Sequence, residues 1–247
     1  LFWDENVGGP VAGSEAISWF FEHEEAGIIL EDDNLPHPDF FRFCEILLSR
    51  YQNDERVWAI AGNNFLDSRR IGDASYYFSK YFPVWGWASW RRAWKHYERD
   101  ITFWPVWRNS EEWKRMHANA AERRCWSYIF ERIHRGEMVH WDYSWIACLM
   151  YHDGVVATPN VNLVANIGYG PAASNTRTDK DKLGDRPVEP LGEICHPKRM
   201  QVDPVADQYV FDRRFGGRHW RFPRLLLSHP RRLVRRMYRK FRRKFLR

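Results

Sequence analysis

The stretch GIILEDDNLPHPDFF, residues 27–41, decides the fold of this chain. Its short apolar run, IIL, is rich in β-branched residues and lacks polar alternation, which indicates a strand buried on both faces. The run ends in three adjacent carboxylates, Glu31, Asp32 and Asp33. Neighbouring negative charges repel one another and raise at least one pKa, so the triplet requires a compensating positive charge. A hard divalent cation, Mn²⁺ or Mg²⁺, is the simplest compensation, and a solvated acidic turn is the alternative.

Helices and strands alternate on both sides of this acidic triplet. Residues 14–25 predict a helix, and residues 40–51 place apolar side chains at helical spacing, with Asp39 as the expected N-cap. Residues 57–61 predict a second buried strand and residues 76–78 a third. This order favours an α/β fold in which a sheet is flanked by helices.

The charge is divided unevenly along the chain. The 247 residues carry a net charge of +6, but ten Lys and Arg and no acidic residue fall in residues 230–247. The rest of the chain has 28 basic against 32 acidic residues and is mildly acidic. A nucleic-acid-binding body would be basic along one face, so the composition argues against nucleic acid as a partner of the body.

The basic C-terminal segment has a helical pattern of its own. In residues 231–247, apolar side chains recur at helical spacing between arginines, which predicts a basic amphipathic helix. Such a helix binds an anionic membrane surface, with about 1 kcal/mol from each basic residue near the lipid. RNA is the alternative partner for this segment.

Hydropathy and cysteine usage indicate the compartment. The sequence has no run of eighteen apolar residues, so it predicts no transmembrane helix. The four cysteines lie far apart and form no CxxC pair, which argues against a zinc ribbon and predicts reduced thiols. The expected location is therefore cytoplasmic, peripheral on the inner face of the cell membrane.

Several blocks in a fixed order carry a resemblance to a known family. The segment GIILEDDNLPHPDFFRFCEILL resembles the metal-binding segment of GT-A fold glycosyltransferases. It is most similar to the group related to N-acetylglucosaminyltransferase I, where the DxD motif appears as EDD, and to its bacterial relatives associated with polysaccharide genes. The resemblance covers residues 1–178, and its later blocks are Gly62-Asn63-Asn64, WGWASWRRAW at 85–94, HWDYSW at 140–145 and PNVNLVANIGYG at 159–170.

The resemblance implies a metal-dependent, inverting glycosyltransferase. It would move a sugar from a nucleotide-diphosphate sugar to a hydroxyl of a glycan, polysaccharide or lipid-linked acceptor. The resemblance implies that Asp33 binds the Mn²⁺ or Mg²⁺ directly, that Asp32 faces the donor ribose or the metal waters, and that Glu31 acts through water or hydrogen bonds. The chemistry agrees, because cleavage of a sugar–phosphate bond develops charge on the leaving diphosphate, which a divalent ion stabilises.

Asp142, in the segment WDYSW, is the candidate catalytic base. An inverting transferase needs a base to take the proton of the acceptor hydroxyl as its oxygen attacks the anomeric carbon. The flanking Trp141 and Trp145 would desolvate Asp142 and raise its pKa, and the resemblance places the family's base in a comparable segment. The alternative is that Asp142 caps a helix, which does not exclude the catalytic role.

The tryptophan-rich block supplies further candidates for binding the donor. Trp87, Trp90 and Trp94 repeat at i, i+3 and i+7, which is typical of a core-facing helix, and Gly86 indicates a close backbone approach. In the resembling enzymes this segment borders the donor sugar and the acceptor. We therefore expect Trp85, Gly86 and Trp87 at the site, and Trp90 and Trp94 in the core.

Polar residues in the segment 159–170 complete the predicted site. Asn160, Asn162 and Asn166 alternate with apolar residues, which predicts a strand with all three amides on one face. That face is either exposed to solvent or a polar wall of the site. The late histidine that GT-A enzymes use as a further metal ligand is absent, and Arg177 is a candidate for contacting the donor diphosphate.

The expected organisation has three parts. Residues 1–180 form a GT-A-like mixed sheet with flanking helices, residues 181–222 a flexible loop and a capping helix, and residues 223–247 the basic tail. The capping helix is expected to start at Asp203-Pro204, with Asp203 as its N-cap and the proline at its first position. Only thirty residues precede the triplet, so the resemblance implies an N-terminally incomplete domain that lacks its first, base-binding strands and exposes a sheet edge. Two other functions stay open: a metal-dependent phosphoester hydrolase, and a non-catalytic, membrane-associated relative of the fold.

Overall fold

A five-stranded mixed sheet with helices on both faces forms the body of the protein. The computed structural model describes residues 3–117, 119–169 and 186–221. The strands are β1 (Ala26–Ile29), β2 (Asn34–Pro36), β3 (Val57–Ala61), β4 (Tyr76–Ser79), β5 (Trp87–Trp90), β6 (Val155–Pro159) and β7 (Val164–Asn166). The helices are α1 (Gly9–His23), α2 (Pro38–Arg50), α3 (Arg91–Trp94), α4 (Trp104–Trp107), α5 (Glu111–Met116), α6 (Ala120–His134), α7 (Trp141–Tyr151) and α8 (Pro204–Arg214), and a 3-10 turn follows at Gly217–Trp220.

The strand order of the sheet is β1–β5–β3–β6–β4. Strand β5 is antiparallel to both β1 and β3, β6 is parallel to β3, and β4 is antiparallel to β6. Strands β1, β3 and β6 therefore run in the same direction and end at one edge of the sheet. The mixed α/β architecture expected from the sequence is confirmed. Strand β1 is an outer strand of the described sheet and is only partly buried, so the expectation of a strand buried on both faces is wrong for β1.

The two faces of β5 show how the sheet is buried. Trp87 stacks on Trp141 of α7, with the ring centroids 5.9 Å apart. The indole N–H of Trp90 donates to the carbonyl of Leu48 in α2 at 3.2 Å. Because alternate residues of a strand point to opposite faces, α7 covers one face of the sheet and α2 covers the other.

The tryptophan-rich block is a strand at its centre rather than a helix. Residues Trp87–Trp90 form β5, and helical structure begins only at Arg91, in the single turn of α3. Trp90 faces α2, whereas Trp94 lies on the other side against Trp87, with their ring centroids 5.9 Å apart. The helix prediction was wrong because a short strand that is apolar on both faces, followed by one helical turn, reproduces the i, i+3, i+7 spacing.

The helix that follows the triplet, α2, begins at a different cap from the one expected. Its N-cap is His37, whose Nδ1 accepts from the N–H of Asp39 at 3.1 Å. Asp39 lies in the first turn, and its carboxylate accepts from the N–H of Leu191 at 2.8 Å. The cap prediction for α8 is confirmed, since Asp203 accepts from two backbone N–H groups at the helix start.

The described part of the predicted flexible loop is tied to the body. Arg186 forms an ion pair with Asp67 and donates to the carbonyl of Asn64 at 2.9 Å. Arg213 of α8 pairs with the same Asp67 at 2.9 Å. Asp67, in the segment that follows β3, thereby joins the loop to α8. Charge-assisted hydrogen bonds hold the described part of the loop against the body of the protein.

Two predictions fall on residues that the structure does not describe. Arg177 lies outside the described residues, and so does the basic tail, residues 223–247, including the amphipathic helix expected at 231–247. In the described ranges, no helix combines the length and the apolar character needed to cross a membrane.

Candidate functional site

Polar residues gather at the edge where β1, β3 and β6 end. Strand β1 leads into the acidic triplet, β3 into Asn63 and Asn64, and β6 into Asn160. Ligands of open α/β sheets bind beyond the carboxyl ends of the strands, so this edge is the candidate site. The short β2–β7 pair bridges it, because β2 follows the triplet and β7 follows the β6 connection.

Two amide side chains hold Asp33 in a fixed orientation. Its Oδ1 accepts from Nδ2 of Asn34 and from Nδ2 of Asn166, both at 2.8 Å. The main chain adds a third hydrogen bond, in which the carbonyl of Asp33 accepts from the N–H of Ile167 at 2.8 Å. Both amides engage Oδ1, which leaves Oδ2 as the oxygen that faces no donor among the described residues.

The backbone of Gly168 packs closely against the second oxygen of Asp33. A Cβ at position 168 would overlap Oδ2 of Asp33 and would lie 3.1 Å from Oδ1 of Asn166. The N–H of Gly168 donates to that Asn166 Oδ1 at 2.9 Å, which turns the Nδ2 of Asn166 toward Asp33. The backbone at 168 thus forms a cradle around Oδ2 that has no room for a side chain.

Replacing Gly168 by alanine should destabilise the protein. The new methyl group overlaps Asp33 Oδ2, so the carboxylate or the loop must move, and we expect a loss of about 1–3 kcal/mol in the free energy of unfolding. Urea unfolding followed by tryptophan fluorescence measures this loss. The control is Ile167→Ala, whose side chain is 65 % exposed and should change stability by no more than about 0.5 kcal/mol. Equal stabilities of the two variants would contradict the cradle.

Asn34 and Gly86 join the triplet to the tryptophan-rich block. Oδ1 of Asn34 accepts from the N–H of Gly86 at 2.7 Å, and the carbonyl of Gly86 accepts from the N–H of Gly62 at 2.7 Å. Gly86 has a φ of +59°, and a Cβ there would lie 2.9 Å from Val164. Both the conformation and the surroundings favour glycine. The close backbone approach predicted at Gly86 is present, directly beside the triplet.

Trp85 and Trp87 take different places in the structure. Trp85 packs edge-on against Phe65 and Tyr169, with ring centroids 5.3 and 5.7 Å apart, and forms an aromatic wall beside the strand ends. Trp87 is 1 % exposed and packs in the core against α7. Its ring offers no face to a ligand in this structure. Of the two tryptophans expected at the site, Trp85 therefore lies beside the strand ends, although it is buried, and Trp87 lies in the core.

Asn63 brings an unpaired donor to the same edge. Its Oδ1 accepts from the N–H of Trp85 at 3.1 Å, which fixes the orientation of the amide. Its Nδ2 is buried and has no hydrogen-bond partner in the described part of the chain. A buried amide donor without an acceptor is costly, so a ligand that offers an acceptor to Asn63 Nδ2 would be favoured at this edge.

Asp142 lies in the first turn of α7 rather than at its N-cap. The N-cap position is His140, and α7 begins at Trp141, so the expectation that Asp142 caps the helix is wrong. The side chain keeps a partly exposed edge, yet desolvation raises its pKa, opposed by His140, by backbone N–H groups at the helix start and by Arg214. A carboxylate with a raised pKa beside a crevice is typical of a general base.

The charges of the triplet and of Asp142 act on one another. Desolvation, followed by the charges of Asp33, Asp142 and Asp32, raises the pKa of Glu31 to about 7. Glu31 keeps part of its surface exposed, and the three neighbouring carboxylates add to the effect of desolvation on its pKa. The fold therefore brings Asp142, far away in the sequence, into electrostatic contact with the triplet.

Arg214 is a residue of this site that no sequence motif revealed. Arg214 is the last residue of α8, and its guanidinium lies 5.5 Å from the ring centroid of Phe65. Its positive charge partly offsets the desolvation that raises the pKa of Asp142. Its described contacts are aromatic rings, Phe65 and Phe215, rather than a carboxylate partner. Arg214 thus places a positive charge beside the carboxylates. Its position follows from the packing of α8, which the local sequence does not encode.

The three asparagines of the segment 159–170 are buried amides. Asn160, Asn162 and Asn166 are 3 %, 7 % and 5 % exposed. Asn162 accepts from the N–H of Asn64 at 3.1 Å, Asn160 donates to two main-chain carbonyls, and Asn166 alone reaches the triplet. The expected alternating strand was wrong, because β6 and β7 are separate strands and the first two asparagines lie in their connection.

The site fits a divalent ion only if a ligand supplies part of the coordination shell. Among the described residues, no three His, Cys, Asp or Glu side chains are grouped so that they could hold a metal ion. Mg²⁺-type sites commonly use one or two carboxylates and complete the shell with water and substrate phosphates. Asp33, whose Oδ2 accepts no hydrogen bond from the described residues, and its acidic neighbours fit that second kind of site.

Comparisons with known protein families and with curated protein sequences return no match to this chain.

Proposed function

We propose that this chain is a metal-dependent glycosyltransferase of the GT-A type. It transfers a sugar, with inversion, from a nucleotide-diphosphate sugar to a hydroxyl of a glycan, polysaccharide or lipid-linked acceptor. The observation that supports this most is that an oriented Asp33, its two acidic neighbours and a desolvated Asp142 lie close enough to influence one another at one sheet edge. A solvated acidic turn explains neither the fixed carboxylate nor the second acid beside it.

On the donor side, Asp33 and Asp32 would hold the Mn²⁺ or Mg²⁺ ion. The ion, when bound, stabilises the charge that develops on the leaving diphosphate. Asp33 offers Oδ2, because Asn34 and Asn166 occupy Oδ1. Desolvation and its acidic neighbours raise the pKa of Glu31 to about 7, and a bound cation would favour its ionised form, so metal binding near neutral pH should be accompanied by proton release.

On the acceptor side, Asp142 takes the proton of the attacking hydroxyl. Its desolvation makes it a stronger base than a solvated aspartate, while Arg214 limits the rise of its pKa. The aromatic wall of Phe65, Trp85 and Tyr169 excludes water from the strand ends. Water exclusion protects a sugar donor from hydrolysis and strengthens the electrostatic interactions inside the site.

The membrane part of the proposal rests on the sequence alone. The basic amphipathic segment 231–247 would hold the enzyme on an anionic membrane surface, on the cytoplasmic side. That location suits a lipid-linked acceptor, whose sugar end is presented at the membrane.

Calorimetric titration of the full chain with UDP-sugars and GDP-sugars, with and without Mn²⁺, tests the proposal. We expect binding that requires Mn²⁺ and releases protons, detected as a dependence of the heat on the ionisation enthalpy of the buffer. Absence of binding to every donor, with and without metal, would overturn the proposal. Cleavage of phosphoesters without any sugar transfer would instead identify the metal-dependent hydrolase.

A further inference from the structure

A cavity lies at the edge of the sheet opposite to the acidic triplet. Its volume is about 390 Å³, within the range of about 300–1,000 Å³ that small-molecule sites occupy. Strand β6 begins at this cavity and ends at the triplet edge, so the two sites are separated by about 13 Å of strand. The polar residues that line it include Lys80, Asn119, Glu122, Asp207 and Gln208.

The charges of Lys80 and Glu122 balance each other in the wall of the cavity. Lys80 Nζ lies 2.8 Å from Glu122 Oε1 and donates to the carbonyl of Met116 at 3.0 Å. Since an ammonium has three N–H groups, one donor of Lys80 is left for a ligand. The Tyr81 hydroxyl also donates to Glu122. His117 is fully buried 3.4 Å from the same oxygen, and burial lowers its pKa, so it adds no charge at neutral pH.

Asp207 adds a carboxyl group that is 4 % exposed. Its Oδ1 accepts from the Ser79 hydroxyl at 2.5 Å, and its Oδ2 has a weaker contact with the N–H of Lys80 at 3.4 Å. Burial raises the pKa of Asp207 to about 7, so near neutral pH the group is partly protonated and can donate as well as accept. Asp153 stands exposed at the rim, where water screens its charge.

Gln208 contributes a donor whose identity the hydrogen-bond chain fixes. The N–H of Ala121 donates to Oδ1 of Asn119 at 2.9 Å, so the Nδ2 of Asn119 is the atom that donates to Oε1 of Gln208 at 3.0 Å. The remaining amide atom, Nε2 of Gln208, is therefore a donor. It is buried and has no partner among the described residues. A donor in this state needs an acceptor that the protein itself does not supply.

We infer that this cavity binds a neutral polyhydroxylated ligand, a sugar unit of monosaccharide size. Lys80 and Gln208 offer donors, Asp207 offers an acceptor, and Val155 and Phe211 add apolar surface. Sugar hydroxyls both donate and accept, and the C–H faces of a sugar ring pack on apolar side chains. Because Lys80 and Glu122 pair with each other and Asp207 is buried and hydrogen-bonded to Ser79, the lining offers little net charge to select a charged ligand. This site is separate from the proposed donor site and does not depend on it.

Saturation-transfer NMR on the full chain tests the inference. The neutral probes are glucose, N-acetylglucosamine and maltotriose, and the charged probes are spermidine and inorganic phosphate. We expect the neutral sugars to bind with a dissociation constant in the region of about 1 mM, as the ligand efficiency of a small polar molecule allows, and neither charged probe to displace them. Tighter binding of maltotriose than of glucose identifies a unit of a longer glycan, and equal binding identifies a free monosaccharide.

Two substitutions in the cavity, compared with two controls outside it, locate the binding. Gln208→Leu removes the amide at similar size and should weaken sugar binding at least fivefold, whereas Gln52→Leu, at an exposed glutamine, should not. Asp207→Asn keeps the shape and is the second variant if Gln208→Leu fails to fold, as judged by near-ultraviolet circular dichroism. Asp33→Asn should leave sugar binding unchanged, which separates this site from the donor site. Absence of sugar binding, displacement by a charged probe, or equal affinity in the folded variants and the native protein overturns the inference.

Discussion

Asp33→Asn should abolish sugar transfer while leaving the fold intact. An asparagine oxygen can accept the same two hydrogen bonds from Asn34 and Asn166 that orient Asp33, both at 2.8 Å. What disappears is the negative charge at Oδ2, the proposed direct contact with the divalent ion. Several kcal/mol of charge stabilisation in the transition state correspond to a loss of about 10³-fold or more in kcat/KM. Steady-state transfer assays with Mn²⁺ and a radiolabelled donor measure the loss.

Two comparison variants make this prediction specific. Asp32→Asn should lose about 10- to 100-fold, because we expect Asp32 to act through the ribose or the metal waters rather than through the main metal bond. Asp73→Asn, at an exposed aspartate, should retain full activity. Calorimetry should show that Asp33→Asn no longer binds Mn²⁺ together with a nucleoside diphosphate. If Asp33→Asn transfers sugar as well as Asp73→Asn does, the metal assignment fails.

The sequence was most informative where local chemistry and burial conflict. Three adjacent carboxylates directly after an apolar run are unfavourable unless something compensates them, and this conflict marked the end of β1, a strand that the structure shows to be only partly buried. The β-branched strand after α2 and the cap and proline that start α8 were equally local signals, and they too are confirmed. Such features depend on neighbours within a few residues, which is why the sequence reveals them.

The remaining features of the site depend on contacts between distant segments. In the sequence, nothing distinguishes Gly168 from any other glycine of a loop. It comes close to Asp33 Oδ2 only because β7 pairs with β2. Arg214 is one of many arginines until α8 packs beside Asp142. The spacing of the tryptophans misled for a related reason: periodicity alone cannot distinguish a helix from a strand that is buried on both faces.

Asp142→Asn should reduce kcat while leaving donor binding nearly unchanged. Without a base, the acceptor hydroxyl keeps its proton during the attack, and the expected loss is about 10²- to 10⁴-fold in kcat. Donor affinity should change little, because the proposed donor contacts come from the triplet. Single-turnover transfer with donor bound beforehand separates the two quantities. Asp100→Asn, at an exposed aspartate, is the matched control and should behave as the native enzyme.

Stability and pH dependence distinguish a base from a structural carboxylate at this position. The native fold raises the pKa of Asp142, so it binds this proton more tightly than the unfolded chain does, and ionisation at neutral pH destabilises the fold. Asp142→Asn should therefore melt at a higher temperature while losing activity, whereas the loss of a structural carboxylate would lower the melting temperature. Transfer by the native enzyme should decline as pH falls through the raised pKa of Asp142, above the usual range of an aspartate. That acidic limb should persist in Glu31→Gln and disappear in Asp142→Asn, because only Asp142 must be deprotonated to accept the hydroxyl proton.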